Sequence, residues 1–261
     1  MHREEHDGIV TYRFSGLERA GVTHAALTRL GGVSQGHFAT LNMGHSVGDD
    51  LAAVGENHRR VFAAFGLRRE QAVSPYQIHS ANVRLVGAEH VGSVQPDTDG
   101  LLTTTPGVAI LFRFADCAPV LLFDPVHRAV GLVHAGWRGA ANGVVAAAVA
   151  AFARHAGSRP ADLWAGVGPA IGPCCYEVGP EVAEAVTRAC PVGSDVLRRQ
   201  NGTLHLDLPG AVRAQLVAAG VGQVELSGIC TACRTDEWFS HRAEKGRTGR
   251  FGMLVMLDEG A

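Results

Sequence analysis

The segment CAPVLLFDPVHRAVGLVH, residues 117–134, decides how this chain is expected to fold. Val120 to Phe123 and Ala129 to Val133 are short, nearly unbroken apolar runs of the kind that buried strands show. Between them stands Asp124-Pro125-Val126-His127-Arg128, where Pro presets its own φ and Asp bonds backbone groups ahead of it, so a tight antiparallel reversal is expected. A ladder centred near Val126 brings Cys117 and His134 to the same open end. Their separation in sequence therefore hides a candidate contact.

Working outward, Val108 to Phe114 reads as another buried strand, Ala72 to Val86 as an extended segment and Gln95 to Gly100 as a polar turn. The Val and Ala stretch after Gly143 reads as a packed helix, and Leu163 to Val167, Val224 to Leu226 and Phe251 to Leu257 as strands. Helices are expected to begin near Val178 and at Asp207-Leu208-Pro209, where Asp caps and Pro suits the first turn. Toward the N-terminus, TRLGGVSQGHFATLNMGHSVGDD is loop-like. Asp49 or Asp50 then caps a helix with Leu51, Val54, Val61, Phe62 and Phe65 near one face, and Gly66 ends it. Interleaved strands and helices imply an α/β or α+β fold rather than a helical bundle. With no linker, repeat or low-complexity block, residues 1–261 are expected to form one domain.

Composition narrows the function. The chain has 261 residues, 46% of them hydrophobic and 18% charged, which excludes a disordered tail or a polybasic module. Twenty-three basic against 25 acidic residues leave a formal charge of -2, so no global field attracts nucleic acid or an anionic membrane. Neither finger spacing nor a GxGxxG after an opening strand is present. The start, MHREEHDGIV, has no secretory pattern, and the longest apolar stretches are too short or too charged to span a bilayer. A cytoplasmic protein without membrane contact is expected. Six cysteines are too sparse for a disulfide scaffold, so reduced thiols are expected. Cys230-Thr-Ala-Cys233 forms a CxxC for which the sequence offers no second matching pair and no thioredoxin-like context, leaving a structural pair or a redox sensor.

The strongest chemical set is His79 in YQIHSANV, Cys117 in ADCAPV and His134 in VHAGWRG. Two imidazoles and a thiolate form a borderline-soft donor set that suits Zn²⁺, and three protein ligands leave a fourth position for water or substrate. Spacing alone is equally compatible with three unrelated pocket or core residues.

The ordered combination is far more specific. NMGHSVGDD, YQIHSANV, DTDGLLT, FADCAPVLLFD, VGLVHAGWRGAANG, GPAIGPCCYEVGPEV and FSHRAEKGRTGR resemble the multicopper polyphenol oxidoreductase family, also called the laccase-domain or YfiH-like family, from about Thr28 to Leu257. By that resemblance His79, Cys117 and His134 match the family's metal ligands. It implies a single-domain α/β/β/α sandwich with mixed sheets, related to bacterial toxin deamidases. It also implies zinc-dependent phosphorolysis of purine nucleosides such as adenosine, with inorganic phosphate as co-substrate and an accompanying adenosine deaminase activity. The oxidase name implies copper instead. Multicopper oxidation needs many clustered histidines, and the 13 here include no HxH pair, so purine chemistry ranks above a Cu²⁺ laccase. HxE followed by PCxxC is missing too, so deamination would need a centre unlike that of the zinc nucleobase deaminases.

Under that reading, Asp116 orients water, a histidine or a ribose hydroxyl, and Arg138 in HAGWRG binds phosphate through its planar fork, beside Gly136 and Gly139. Arg242 and Arg247 are further cations for substrate. Asn42 and His45 in the N-terminal loop are candidate substrate contacts. Gln77, two residues before His79 and hence on the same side of an extended strand, is a candidate base reader. Cys175 is a candidate pocket residue, and Trp137 and Phe239 either stack on a purine or close the core. Two other classes stay open: a cysteine hydrolase using Cys117 and His134, and a metal-stabilised interaction protein without turnover.

Overall fold

The structure, a computed structural model, describes residues 1–18 and 20–259. Residues 117–134 contain the expected hairpin: Ala118–Asp124 pairs antiparallel with Ala129–Ala135, from Asp124 opposite Ala129 to Ala118 opposite Ala135. Asp124 fixes the turn, its Oδ1 accepting from the Val126 and His127 N–H groups at 2.7 and 3.1 Å. His134 lies opposite Pro119, which puts Cys117 just beyond the ladder at the same end, as the sequence implied.

This hairpin sits in the middle of a six-stranded sheet. The order runs Gln223–Leu226, Trp164–Val167, Ala118–Asp124, Ala129–Ala135, Gly100–Thr103, Val83–Leu85, with both outer pairs parallel. A seven-stranded sheet covers one face. Its order is His2–His6, Ile9–Arg13, Val22–Leu27, Phe251–Leu257, Ala109–Phe114, Ala72–Pro75, Val94–Gln95. The three N-terminal strands carry weak sequence signals. His2–His6 is largely charged, and Val22–Leu27 carries Thr23 and His24 within its apolar run.

Period-2 alternation sorts the side chains into layers. Ile110, Phe112 and Phe114 from one sheet meet Leu121, Phe123, Val130 and Leu132 from the other in an inner core. Leu111 and Leu254 point outward against Val61 and Phe62 of the helix Leu51–Ala64. On the opposite side, Val120, Leu122 and Val133 pack against the helices Val144–Ala156 and Leu208–Ala218. The layers are therefore α/β/β/α. Asp50 and Asp207 supply the expected caps, accepting from the Ala52 and Gly210 N–H groups.

The helix expected near Val178 begins at Pro180, after Glu177–Val178 pairs with Thr203–Leu206 in a small three-stranded sheet. One expectation fails locally. The extended segment Ala72 to Val86 is broken: its first strand joins the seven-stranded sheet and Val83–Leu85 the six-stranded one, with His79 at φ 63 in the crossing. Among the described residues, no helix is long and apolar enough to cross a membrane.

Candidate metal centre

Along Ala129–Ala135, Val130 and Leu132 face the inner core, and alternation turns His134 the same way. Its ring meets Phe114 at 5.5 Å and the His79 ring at 4.8 Å, both as centroid distances. His79 arrives from the crossing between the sheets, and Cys117 from the turn joining Ala109–Phe114 to Ala118–Asp124. The ligand atoms of His79, Cys117 and His134 all lie within 4.8 Å of one another, with Cys117 Sγ 3.9 Å from His79 Nε2.

Asp99, part of the polar turn expected at Gln95 to Gly100, organises this set. Fully buried, its carboxylate accepts five hydrogen bonds: from His134 Nδ1 at 2.9 Å, from the Ile78, His79 and Ser80 N–H groups, and from Ser80 Oγ. The three successive amides wrap the chain around the carboxylate and hold His79 in its left-handed conformation, which costs about 1–3 kcal/mol for a non-glycine residue. In the neutral ring the bond from Nδ1–H fixes the His134 tautomer and leaves the Nε2 lone pair for the centre. Gly136 completes the packing. A Cβ there would stand 2.7 Å from Cys117 Sγ and 3.1 Å from His79 Cδ2.

The electrostatics favour a thiolate beside an imidazolium. Burial pushes the Cys117 thiol up, but His134 and His79 outweigh it and bring the pKa down to about 6. Burial likewise works against a charged His134, yet Cys117 and Asp99 raise it to about 9. For Asp99, burial raises the pKa while His134 and Ser80 lower it, to about 2.

The centre opens into a cleft of about 1170 Å³ whose wall includes Asp116, Arg138, Arg242, His45 and Gln77. Several of these are already engaged. Both Asp116 oxygens accept hydrogen bonds, from Thr231 Oγ1 at 2.7 Å and from the Arg242 N–H at 2.6 Å. Gln77 uses both ends of its amide on the Arg113 backbone, at 2.9 and 3.1 Å, extending the sheet edge. Gln77 lies on the cleft wall, but it shares no strand with His79. His45 packs its ring against His58 at 4.7 Å and meets Arg113 Nη1 at 3.4 Å.

Other expected contacts lie elsewhere. Asn42 is fully buried, its amide bonded to Gly44, Asp49 and the Arg250 N–H, so it braces the N-terminal loop and does not face the cleft. Cys175 and Arg247 are absent from the cleft wall. Phe239 is fully buried beneath the Arg29 guanidinium and belongs to the core, whereas Trp137 lines the cleft with Arg138 over its ring at 4.4 Å.

The cleft also holds groups to which the motifs assign no role. Arg113 and Arg250 are half-buried, and burial lowers the pKa of each. Arg113 donates to the Pro75 carbonyl and Arg250 to the Thr248 and Gly249 carbonyls. Among the described residues no carboxylate pairs with Arg113, Arg138 or Arg250. Tyr176 stands beneath Arg242, 5.0 Å from guanidinium to ring, and burial raises its phenol to about 12.

Comparison with known proteins agrees with this architecture. The family described as "Multi-copper polyphenol oxidoreductase laccase" matches residues 23–258. "Purine nucleoside phosphorylase YlmD" of Geobacillus stearothermophilus is 39% identical over 249 residues, covering 91% of this chain and 90% of that protein. A "Purine nucleoside phosphorylase" of Deinococcus radiodurans is 40% identical over 236 residues, covering 90% and 89%. The crystal structure of YlmD from Geobacillus stearothermophilus superposes with a TM-score of 0.93 at 36% identity, over 98% of each chain. That of a Bacillus licheniformis hypothetical protein, YfiH, gives 0.91 at 33% identity over 98% and 99%.

Proposed function

Since the chain belongs to the multi-copper polyphenol oxidoreductase laccase family, with relatives named purine nucleoside phosphorylases, we propose that it is a zinc-dependent phosphorylase of adenosine and related purine nucleosides. The donor chemistry fits zinc: two imidazoles and one thiolate converge, and Asp99 secures the tautomer of one imidazole. Bound by His79, Cys117 and His134, zinc would supply a Lewis acid to an oxygen of the substrate or of water.

The observation that carries the phosphorylase reading is the charge of the cleft. Its wall presents Arg113, Arg138, Arg242 and Arg250 against Glu70 and Asp116, and Asp116 is already committed to Thr231 and the Arg242 N–H. Two half-buried guanidinium groups, Arg113 and Arg250, and two exposed ones, Arg138 and Arg242, none paired with a carboxylate side chain among the described residues, make a binding place for a dianion. Phosphate held there directs one oxygen at ribose C1′. That oxygen forms the new bond as C1′–N9 breaks, the electron pair leaves with the purine, and a proton is taken up by the departing base. Arginines that grip the phosphate and keep the sugar oriented lower the entropic part of the barrier. Tyr176, kept protonated, offers a neutral O–H donor to the substrate. Trp137 gives the cleft an aromatic surface for the base.

Accompanying deamination of adenosine at C6, a fold kinship with bacterial toxin deamidases, one domain spanning residues 1–261 and a cytoplasmic location belong to the same proposal. A copper oxidase fits less well. Among the described residues, the groups able to share an ion are His79–Cys117–His134 and four cysteines, with no second histidine cluster to build a multicopper site.

The test follows adenosine by mass-resolved chromatography, with and without inorganic phosphate, using metal-defined protein and Cys117→Ala. Adenine with ribose 1-phosphate is expected only with phosphate and only from the unsubstituted chain, and inosine would report deamination. Adenine with free ribose, or no turnover of any purine nucleoside by zinc-loaded protein, would overturn the reading.

One observation favours a second reading. Asp99, His134 and Cys117 repeat the orienter, base and nucleophile order of cysteine hydrolases. That chemistry forms an acyl–Cys117 bond with loss of an amine or alcohol, and intact mass after incubation with amide and ester substrates decides it.

A further inference from the structure

A second cluster of metal-binding chemistry lies outside the reaction centre. The CxxC at Cys230 and Cys233 has the partner pair that its sequence context did not reveal: the adjacent cysteines Cys174 and Cys175. The sulfur atoms of all four lie within 4.8 Å of one another. Cys233 Sγ is 3.4 Å from Cys174 Sγ and 3.3 Å from Cys175 Sγ, and all four cysteines are free thiols. A tetrahedral zinc–thiolate centre with bonds of about 2.3 Å places its sulfurs about 3.8 Å apart, so this spacing needs only small side-chain adjustment.

The backbone around the cluster is built to hold it. Ala170 and Cys230 form a parallel β-bridge, and Thr231 N donates to the Ala170 carbonyl at 3.1 Å. On one side, Cys175 N and Tyr176 N both return to the Gly172 carbonyl; on the other, Arg234 N returns to the Cys230 carbonyl. Each cysteine pair therefore sits on a tight turn facing the other. The Gly172 N–H donates to Cys230 Sγ at 3.2 Å, the kind of contact that stabilises a thiolate ligand. Cys174 and Cys233 are exposed, which gives an ion a way in.

We infer that Cys174, Cys175, Cys230 and Cys233 form a structural site for one thiophilic divalent cation, zinc foremost. Four thiolates close the coordination sphere, so this ion has no open position for substrate. Binding releases the four thiol protons and transfers no electrons. The ion staples the Gly172–Tyr176 turn to the Cys230–Arg234 turn. Those segments carry two of the three contacts that hold Asp116 beside Cys117: Ile171 N to the Asp116 carbonyl, and Thr231 Oγ1 to its carboxylate.

The experiment uses the full chain carrying Cys117→Ala, which removes a ligand from the reaction centre, purified under reducing conditions and stripped of metal. Titration with Co²⁺ should give one equivalent bound, with intense tetrahedral visible bands and sulfur-to-cobalt charge transfer, displaced by stoichiometric Zn²⁺. Adding Cys230→Ser and Cys233→Ser should abolish the signal. In the chain with Cys117 intact, the same pair should lower the zinc content by one equivalent while the reaction-centre ion remains. If the double variant fails to fold, the single variants Cys174→Ser and Cys233→Ser at exposed positions should each weaken binding at least tenfold and reduce the charge-transfer intensity. Three results would overturn the site: no bound Co²⁺ in Cys117→Ala, binding without sulfur charge transfer, or a disulfide among these cysteines under the same reducing conditions.

Discussion

The buried carboxylate of Asp99 accepts the Nδ1 proton of His134 at 2.9 Å, and the same oxygen takes the backbone N–H of His79 at 3.0 Å. One side chain thus sets the tautomer of one candidate ligand and the backbone of another. Asp99→Asn keeps the volume but places an amide among groups that all donate. Zinc affinity at the centre should fall about 10–100-fold. Competition against a chelator of known affinity measures it, and an unchanged affinity would remove Asp99 from this role.

Gly136 has ordinary extended backbone, φ -76 and ψ 174, so a side chain there is resisted by contacts and not by conformation. Gly136→Ala drives a methyl toward Cys117 Sγ and His79 Cδ2. Turnover should drop about 100-fold through displacement of the centre, while circular dichroism stays that of the parent. Steady-state kinetics at saturating zinc checks this, and parental kcat would contradict it.

Arg113→Met and Arg250→Met each remove a half-buried cation that has no carboxylate partner among the described residues. A charged hydrogen bond to phosphate contributes about 1.5–3 kcal/mol, so the KM for phosphate should rise about 10–100-fold, with a smaller change for the nucleoside. Equal effects on both substrates would instead indicate general disruption of the cleft.

His24, far from the centre, sets an acid limit on stability. Burial holds its pKa down to about 4, and its Nε2 accepts the Phe14 N–H at 2.9 Å, so the folded protein favours the neutral ring. The contribution is complete above the unfolded pKa of 6.5 and is lost as pH falls toward about 4. It amounts to about 3 kcal/mol. Urea unfolding across this range should show a shallower decline for His24→Gln than for the parent, and parallel curves would refute the assignment.

The hairpin was legible because its signal is local: two apolar runs and the Asp124-Pro125 turn fix the register that aligns Cys117 with His134. Asp99 was not, because DTDG reads as a polar turn and nothing in it tells a solvated carboxylate from one buried under five donors. Arg113 was hidden by its place in an apolar strand, where alternation alone does not say which end of the sheet borders a cleft. Asn42 and Gln77 misled in the opposite way. Amides that invite a substrate reading bond the backbone of neighbouring segments instead. The paired cysteines escaped notice because Cys174 and Cys233 stand 59 residues apart and meet only through the Ala170–Cys230 bridge.

The most direct measurement supplies adenosine with heavy-oxygen-labelled inorganic phosphate and reads the sugar product by mass. Phosphate attack at C1′ requires ribose 1-phosphate that retains every labelled oxygen, including the one now bonded to carbon. The zinc-loaded chain is expected to form it and Cys117→Ala to form none. Unlabelled free ribose beside adenine, or labelled ribose 1-phosphate produced equally fast by Cys117→Ala, would contradict phosphorolysis at the His79, Cys117 and His134 centre.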